Sequence, residues 1–419
     1  MKALACVGAG LLSITLSAAA EKAASPYIVI FAAEAIAPAP GPQWPGSGDH
    51  GRPAVRAAAE RLASLHGFSL GYVYSHAIEG FSAHLNDRQL AALSADMQVA
   101  YIEADLPMSV MGQPTQEPGT RAKPDRGGGG STAPAAQVLP WGIDALEADI
   151  SSTQAGNGSG SVTGVHAYII DTGIDTSHAD LNVVDHVNFA GGPNRDCHGH
   201  GTHVAGTVGA IDNAQDVVGM APGVELVGVK VLGCGGTGST SGVIAGVDWV
   251  TTNAKLPAVA NMSLGGGAST ALDTAVLNSA AAGIFYAVAA GNDGGDACLG
   301  SPARAGAGLD NGVMTTAAID SAGQEASFSN YGSCVDIWAP GVGVLSTQKG
   351  GGTTTFSGTS MASPHTAGAG ALYLSNAGAN PNLPLDAAAV EAALYEKTLP
   401  LTTQSKDERP IELLQVESF

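Results

Sequence analysis

Three histidines, His198, His200 and His203, fall within six positions of the segment DCHGHGTHVAG, residues 196–206. Imidazoles this dense either ligate a metal or supply one ring as a proton shuttle for a nucleophile elsewhere in the chain. Zinc fits poorly, because the three residues flank glycines in a turn and helix start and the glutamate of an H-E-x-x-H helix is missing. A shuttle needs an alcohol to activate and an acid to hold the ring in the right tautomer. Both candidates exist. Asp171 closes the apolar run AYII (167–170) and precedes Thr172 and Gly173, while Ser360 enters a helix in SGTSMASPHTAG (357–368), with Pro364 tolerated in the first turn. Ser360 is expected as an exposed hydroxyl on a rigid platform. Alone, Asp171 reads as a turn cap; with His200 and Ser360 it completes acid, base and nucleophile, in that chain order. The DTG at 171–173 is also a mark of two-carboxylate catalysis, but no second DTG or DSG occurs. Asn292, directly after AVAAG (287–291), offers a donor for the oxyanion of a tetrahedral intermediate, although an asparagine before a turn is usually only a turn residue.

Groups this far apart in the chain need a scaffold that gathers them. GVHAYIID (164–171), VELVGVKVL (224–232), AVANMSL (258–264) and GIFYAVAAG (283–291) read as strands, and helical stretches such as 240–254 and 270–282 separate them. That alternation predicts an α/β domain: a mostly parallel sheet with helices on both faces, whose strand carboxyl ends form the site. Residues 26–105 read differently, as β-α-β-β-α-β: PYIVIF, PAVRAAAERLASLHG, GYVYSH, EGFSAHL, the capped helix NDRQLAALSAD, and VAYIEAD. This is a small ferredoxin-like α+β unit. Between the two domains, RGGGGSTAPAA and its surroundings cannot bury a core, so 108–137 reads as a flexible linker open to proteases.

Lys2 followed by an uncharged apolar run and SAAAE reads as a signal peptide over 1–20, and no later stretch is long and apolar enough for a membrane anchor. In an exported chain, the even set Cys197, Cys234, Cys298 and Cys334 points to two disulfides, and no C-x-x-C pair supports a zinc site. The formal charge of −20 makes nucleic acid an improbable ligand.

DTGID (171–175), HGTHVAG (200–206) and GTSMASP (358–364) together resemble the three signature segments of the subtilisin-like serine proteases, the subtilases. RDCHGHGTHVAG, STSGVIAGVDWV and FSNYGSCVDIWAPG are similar to the proteinase K-like group, including aqualysin and Vibrio-type secreted enzymes. The resemblance implies that Asp171, His200 and Ser360 are a catalytic triad and that Asn292 completes an oxyanion hole with the Ser360 backbone N–H. It implies a structural place for His203 and assigns no role to His198 or His365. Gly236 and Gly238, with Ser263, Leu264 and Gly265, resemble the two segments that sandwich an extended substrate. Ala290, Gly291 and Gly300 would wall a primary pocket with no charge at its base, implying broad cleavage after apolar or uncharged residues.

The same resemblance implies pairing of Cys197 with Cys234 and of Cys298 with Cys334. It implies no cofactor for catalysis, and a structural calcium at Asp336 whose remaining ligands are in question because the loop AGAGLDNGVMT (305–315) is longer. Residues 21–107 are similar to propeptides that aid folding and then inhibit, with self-cleavage expected between Leu106 and Leu139. Residues 138–419 then form the catalytic domain, ending in the short strand PIELLQV with no added C-terminal domain. The expected product is a secreted monomeric endopeptidase acting on proteins and peptides, with its own propeptide as the only partner and no membrane association. The alternative, a catalytically silent binding protein, sits badly with a complete triad. An esterase of the α/β-hydrolase kind would need G-x-S-x-G and the order Ser, acid, His.

Overall fold

The structure, a computed structural model, describes residues 23–33, 35–36, 52–111, 136–379 and 385–419. The expected signal peptide, and the linker from 112 to 135, lie outside them.

In the N-terminal unit β1 (Ser25–Phe31), α1 (Arg52–His66), β2 (Leu70–Tyr74), β3 (Gly80–Leu85), α2 (Asp87–Ser94) and β4 (Val99–Ala104) follow the expected β-α-β-β-α-β order. Its antiparallel sheet runs β2-β3-β1-β4. Asn86 and Gln89 form a reciprocal capping box that starts α2. Period-two alternation along β1 gives the sheet two apolar faces. Val29 and Phe31 pack with Val55, Ala59 and Leu62 of α1, whereas Ile28 and Ile30 join the core of the larger domain. The chain then continues into β5 (Pro107–Val110), so the ordered structure extends beyond residue 107, where the sequence reading had begun the linker.

The larger domain starts with the short α3 (Trp141–Ala145) and alternates strand and helix: β6 (His166–Asp171), β7 (Val183–Asn188), α4 (His200–Gly209), β8 (Glu225–Lys230), β9 (Thr237–Ser239), α5 (Thr240–Asn253), β10 (Ala258–Met262), β11 (Leu264–Gly267), α6 (Thr270–Ala281) and β12 (Ile284–Ala289). After β13 (Gly300–Ser301) come β14 (Val313–Ile319), β15 (Ile337–Pro340), the hairpin β16 (Val344–Thr347) and β17 (Thr353–Phe356), α7 (Thr359–Ala379), α8 (Ala387–Glu396), β18 (Leu399–Gln404) and β19 (Pro410–Leu413). The main sheet has the order β18-β19-β15-β14-β12-β10-β6-β8-β7. Its pairs are parallel except β18 with β19 at the edge.

Both faces of that sheet are covered, and for that reason its strands are nearly continuous apolar runs. Ile169 packs under α4 and α7, and its neighbour Ile170 under α5 and α6. Helix α7 is buried through its first four turns; Ala, Gly and Ser dominate it because larger side chains would hold it off the strands. Disulfides join Cys197 to Cys234 and Cys298 to Cys334, the pairing that the resemblance implied.

Candidate active site

Asp171 ends β6 at the carboxyl edge of the sheet and is fully buried. Its Oδ1 and Oδ2 lie 2.8 and 2.9 Å from His200 Nδ1, and the Thr172 N–H donates to Oδ1 at 2.6 Å. His200 opens α4. The contact depends on Gly201, where an added Cβ would sit 2.1 Å from the Gly173 carbonyl oxygen and 3.2 Å from the Asp171 Cβ. No other residue lets the helix come this close to the strand end.

Ser360 is the second residue of α7. Its backbone carbonyl accepts a 2.8 Å bond from Ser263 Oγ, which itself accepts from Asn261 Nδ2, while Asn261 Oδ1 accepts from Ser363 Oγ. This buried relay from β10 fixes the turn that carries the serine. Ser360 is not the exposed hydroxyl that its sequence context suggests: it is fully buried, because Met111 lies over it. Its Oγ donates to the Met111 carbonyl oxygen and lies 3.0 Å from the Ser263 carbonyl oxygen. His200 Nε2, correspondingly, has no hydrogen-bond partner among the described residues. Asp171 and His200 are thus joined, and the serine hydroxyl is turned towards a peptide carbonyl.

Asn292 is half-buried, and its Oδ1 accepts from the Thr359 N–H and Oγ1, both at 2.9 Å. With that oxygen occupied, the amide NH₂ is the end left to serve as a donor beside Ser360.

The strand β5 enters the cleft between β9 and β11, antiparallel to each, with Met108 opposite Gly238 and Gly266 and Val110 opposite Leu264. The Val110 N–H donates to the Gly236 carbonyl (2.9 Å) and the Met111 N–H to the Ser263 carbonyl (3.3 Å). Gly236, Gly238, Ser263, Leu264 and Gly265 therefore all line an extended peptide. Met111 projects into a pocket walled by Gly265, Ala290 and Gly300, with Ala289, Leu299 and Asn330; Asp293 and Asp296 also line it, so the pocket is not the uncharged one that the sequence suggests. At Gly265 a Cβ would lie 2.1 Å from Met111 Cε, so a side chain there would compete for the pocket. Gly291 does not line this pocket; it follows Ala290 in the left-handed region (φ 107°) and donates to Thr359 Oγ1.

Three carboxylates fasten the two domains. Glu103 accepts from Ser269 Oγ and Thr270 N–H at the start of α6, and Asp105 from Ser241 N–H and Oγ at the start of α5. Both occupy the positive end of a helix. From the other side, Asp248 accepts from the N–H groups of Ser75, His76 and Ala77.

The remaining histidines have other work. His203 Nε2 lies 3.2 Å from the carbonyls of Val344 and Thr354, its ring stacks on Phe356, and burial pushes its pKa down to about 3. His365, bonded to the Met361 carbonyl, is pushed down to about 4 by burial. His198 stands edge-on to His200 and beside Gly236; burial lowers its pKa too. Among the described residues, no group of three or more His, Cys, Asp or Glu side chains is placed to hold a metal.

Calcium takes six to eight oxygen ligands. Asp336 is a half-buried residue whose carboxylate accepts from the Thr315 N–H at 2.7 Å, and desolvation raises its pKa well above the usual carboxylate range. The longer neighbouring loop is tied back instead by Glu391, which accepts from the N–H groups of Asp310, Asn311 and Gly312.

Sequence reading missed Met111, Asn261, Thr172 and Asp196. None belongs to a recognisable chemical group of side chains; each acts through partners brought near it only by folding.

A buried acid–imidazole pair, a serine at a helix entry with its hydroxyl on a peptide carbonyl, and an N-terminal unit threading that peptide between two edge strands fit a serine peptidase with its prodomain. Residues 163–410 match the model of the subtilase family and residues 26–111 that of the peptidase inhibitor I9 family. The chain belongs to the subtilase family. It is 42% identical over 327 residues to an extracellular serine proteinase of Thermus sp., covering 76% of this chain and 72% of that protein. It is 40% identical over 322 residues to an alkaline serine exoprotease A of Vibrio alginolyticus, covering 76% of this chain and 55% of that protein. A crystal structure of a cold-adapted subtilisin-like serine proteinase superposes with a TM-score of 0.57 at 40% identity, over 66% of this chain and 97% of that one.

Proposed function

We propose that this chain is a secreted serine endopeptidase made as a self-processing zymogen, with Ser360 as nucleophile, and that the first peptide bond it cuts is its own, after Met111. One observation carries this reading: Ser360 Oγ donates to the carbonyl oxygen of Met111, the last described residue of a peptide held between two edge strands. The I9 match ends at the same residue.

For attack, the hydroxyl turns from the carbonyl oxygen to His200 Nε2 and gives up its proton there while Oγ bonds to the carbonyl carbon. Asp171, on Nδ1, holds the tautomer and stabilises the imidazolium. Charge on the former carbonyl oxygen falls to Asn292 Nδ2 and the Ser360 N–H. Collapse expels the new amine with the proton from His200, and water then hydrolyses the acyl-enzyme by the same route in reverse.

Specificity follows from what the cleft touches. Backbone pairing to β9 and β11 accepts many sequences, the site of Met108 is apolar, and the pocket at Met111 combines small apolar walls with the carboxylates of Asp293 and Asp296, which disfavour an acidic side chain there. Secretion agrees with the signal-like N-terminus, the two disulfides and the extracellular relative. The working unit is one chain, since site and inhibitor are both supplied in cis. No metal enters these steps, and calcium at Asp336 would touch stability alone.

A fluorophosphonate probe on the processed enzyme tests the assignment by peptide mapping. Label on the Ser360 peptide, abolished in Ser360→Ala, is expected; strong peptide hydrolysis with no label at Ser360 would overturn it.

A further inference from the structure

The start of α4 has an unusual cap. Its N-cap residue is Gly199, in the left-handed region (φ 110°), and offers no side chain to the unpaired N–H groups of the first turn. Asp196, three residues earlier and 4% exposed, supplies what Gly199 cannot. Its Oδ2 accepts from the Thr202 N–H at 3.0 Å and Thr202 Oγ1 at 2.6 Å, and its Oδ1 from the N–H groups of His198 (2.9 Å) and Gly199 (2.8 Å).

A fifth donor comes from another element. Thr172 Oγ1, next to the acid on β6, donates to Asp196 Oδ1 at 3.1 Å and accepts from the Gly201 N–H at 2.9 Å. Five donors converge on one buried carboxylate, and they come from the residue after Asp171 and from both sides of His200.

We propose that Asp196 is a positioning residue for the reaction: by bolting the Asp171 strand end to the His200 helix start, it sets the geometry of the acid–base pair. This rests on the triad reading above. Asp196 touches no reacting atom and acts through backbone and Thr172. Among the described residues it belongs to no ion pair. The charged and titratable groups facing it are Asp171, His198, His186 of β7 and Lys230 of β8. Lys230 is buried and donates to the carbonyls of Thr172 (2.6 Å) and Leu232 (2.8 Å), so it braces the same turn. Lys349 closes the far side through the Cys197 carbonyl at 2.7 Å.

The test is Asp196→Asn in the full chain, assayed after processing and normalised by active-site titration with a serine reagent. Asparagine keeps the shape but turns one acceptor into a donor, aimed at N–H groups whichever way the amide faces. A displacement of about 1 Å at a catalytic group costs about 10²-fold, so kcat per titrated site should fall by about that factor with KM little changed. Loss of the anion near His200 should also move the acid limb of the kcat/KM profile to lower pH.

If Asp196→Asn does not fold, Thr172→Val, which deletes two of the bonds, should lower kcat in the same way, and Thr172→Ser, which keeps them, should restore it. A lowered melting temperature with unchanged kcat per site and an unchanged acid limb would make Asp196 merely structural and overturn the proposal, as would Thr172→Ser failing to restore kcat. Ser360→Ala run in parallel keeps the two readings apart: wild-type turnover there would sink the triad and the brace's role with it, whereas an inactive Ser360→Ala beside an unimpaired Asp196→Asn would sink the brace alone.

Discussion

Met108 gives a quantitative handle on the proposed block of the enzyme by its own prodomain. It is 1% exposed and enters the apolar core beneath α5 and α6, sharing that cluster with Leu232, Ile244 and Leu264. Burying a methionine side chain stabilises by about 1.5–3 kcal/mol, and truncating one to alanine in a core costs about 2–5 kcal/mol once the cavity is included. The cleft can partly relax, so about 2–3 kcal/mol is the working figure for Met108→Ala, equivalent to a 30- to 150-fold weaker complex at about 1.4 kcal/mol per decade. After processing, the complex is noncovalent, and serial dilution against a chromogenic peptide reads its dissociation directly. The concentration at which half the activity appears should rise about 30- to 150-fold in Met108→Ala. The kcat of the released enzyme should not change, because residue 108 departs with the prodomain. Half-release at the wild-type concentration would refute the claim that this side chain anchors the inhibitor.

Ser360→Ala or His200→Ala should lower kcat about 10⁶-fold, whereas Asn292→Ala, which removes one oxyanion donor, should lose about 10²- to 10³-fold; steady-state hydrolysis of a peptide substrate measures all three. Acid should weaken the fold through its buried imidazoles. His203 and His365 are pushed down to about 3 and about 4 by burial, so their contribution is complete above the unfolded value of about 6.5 and is lost as pH falls below it. At pH 4.5 each should cost about 2.7 kcal/mol. Asp180, raised to about 6 by burial, opposes this, because it disfavours the folded state less as it becomes protonated. His203→Gln isolates one histidine from such carboxylates: chemical denaturation at pH 7.5 and pH 4.5 should show the gap between them narrowed by about 2.7 kcal/mol, and an unchanged gap would contradict the assignment.

The candidate catalytic groups, Asp171, His200 and Ser360, were legible because the proposed chemistry restricts residue type to an acid, an imidazole and an alcohol, and each stands where a strand ends or a helix begins. The ferredoxin-like unit was legible from the order of its strand and helix signals, PYIVIF through VAYIEAD, with a helix cap at Asn86; that Val29 and Phe31 face one core and Ile28 and Ile30 another was not, because IVIF is apolar throughout. The strand at 107–110 was not, since PMSV has no periodicity of its own and becomes a strand only between β9 and β11. For the same reason the burial of Ser360 was invisible: the residue that covers it, Met111, lies 249 positions away. Asp196 escaped notice because backbone N–H groups, which leave no mark on a sequence, supply most of its bonds. The long loop before Thr315 has no sequence signal for its anchor, and only the folded chain shows Glu391 accepting from three of its N–H groups.

The most direct measurement is the mass of the fragments that the chain makes of itself. Wild-type protein should yield an N-terminal fragment ending at Met111 as the first product, and Ser360→Ala should remain one uncut chain. A first fragment ending elsewhere, or cleavage after Met111 at the wild-type rate in Ser360→Ala, would contradict a serine acting on the peptide carbonyl that lies against it.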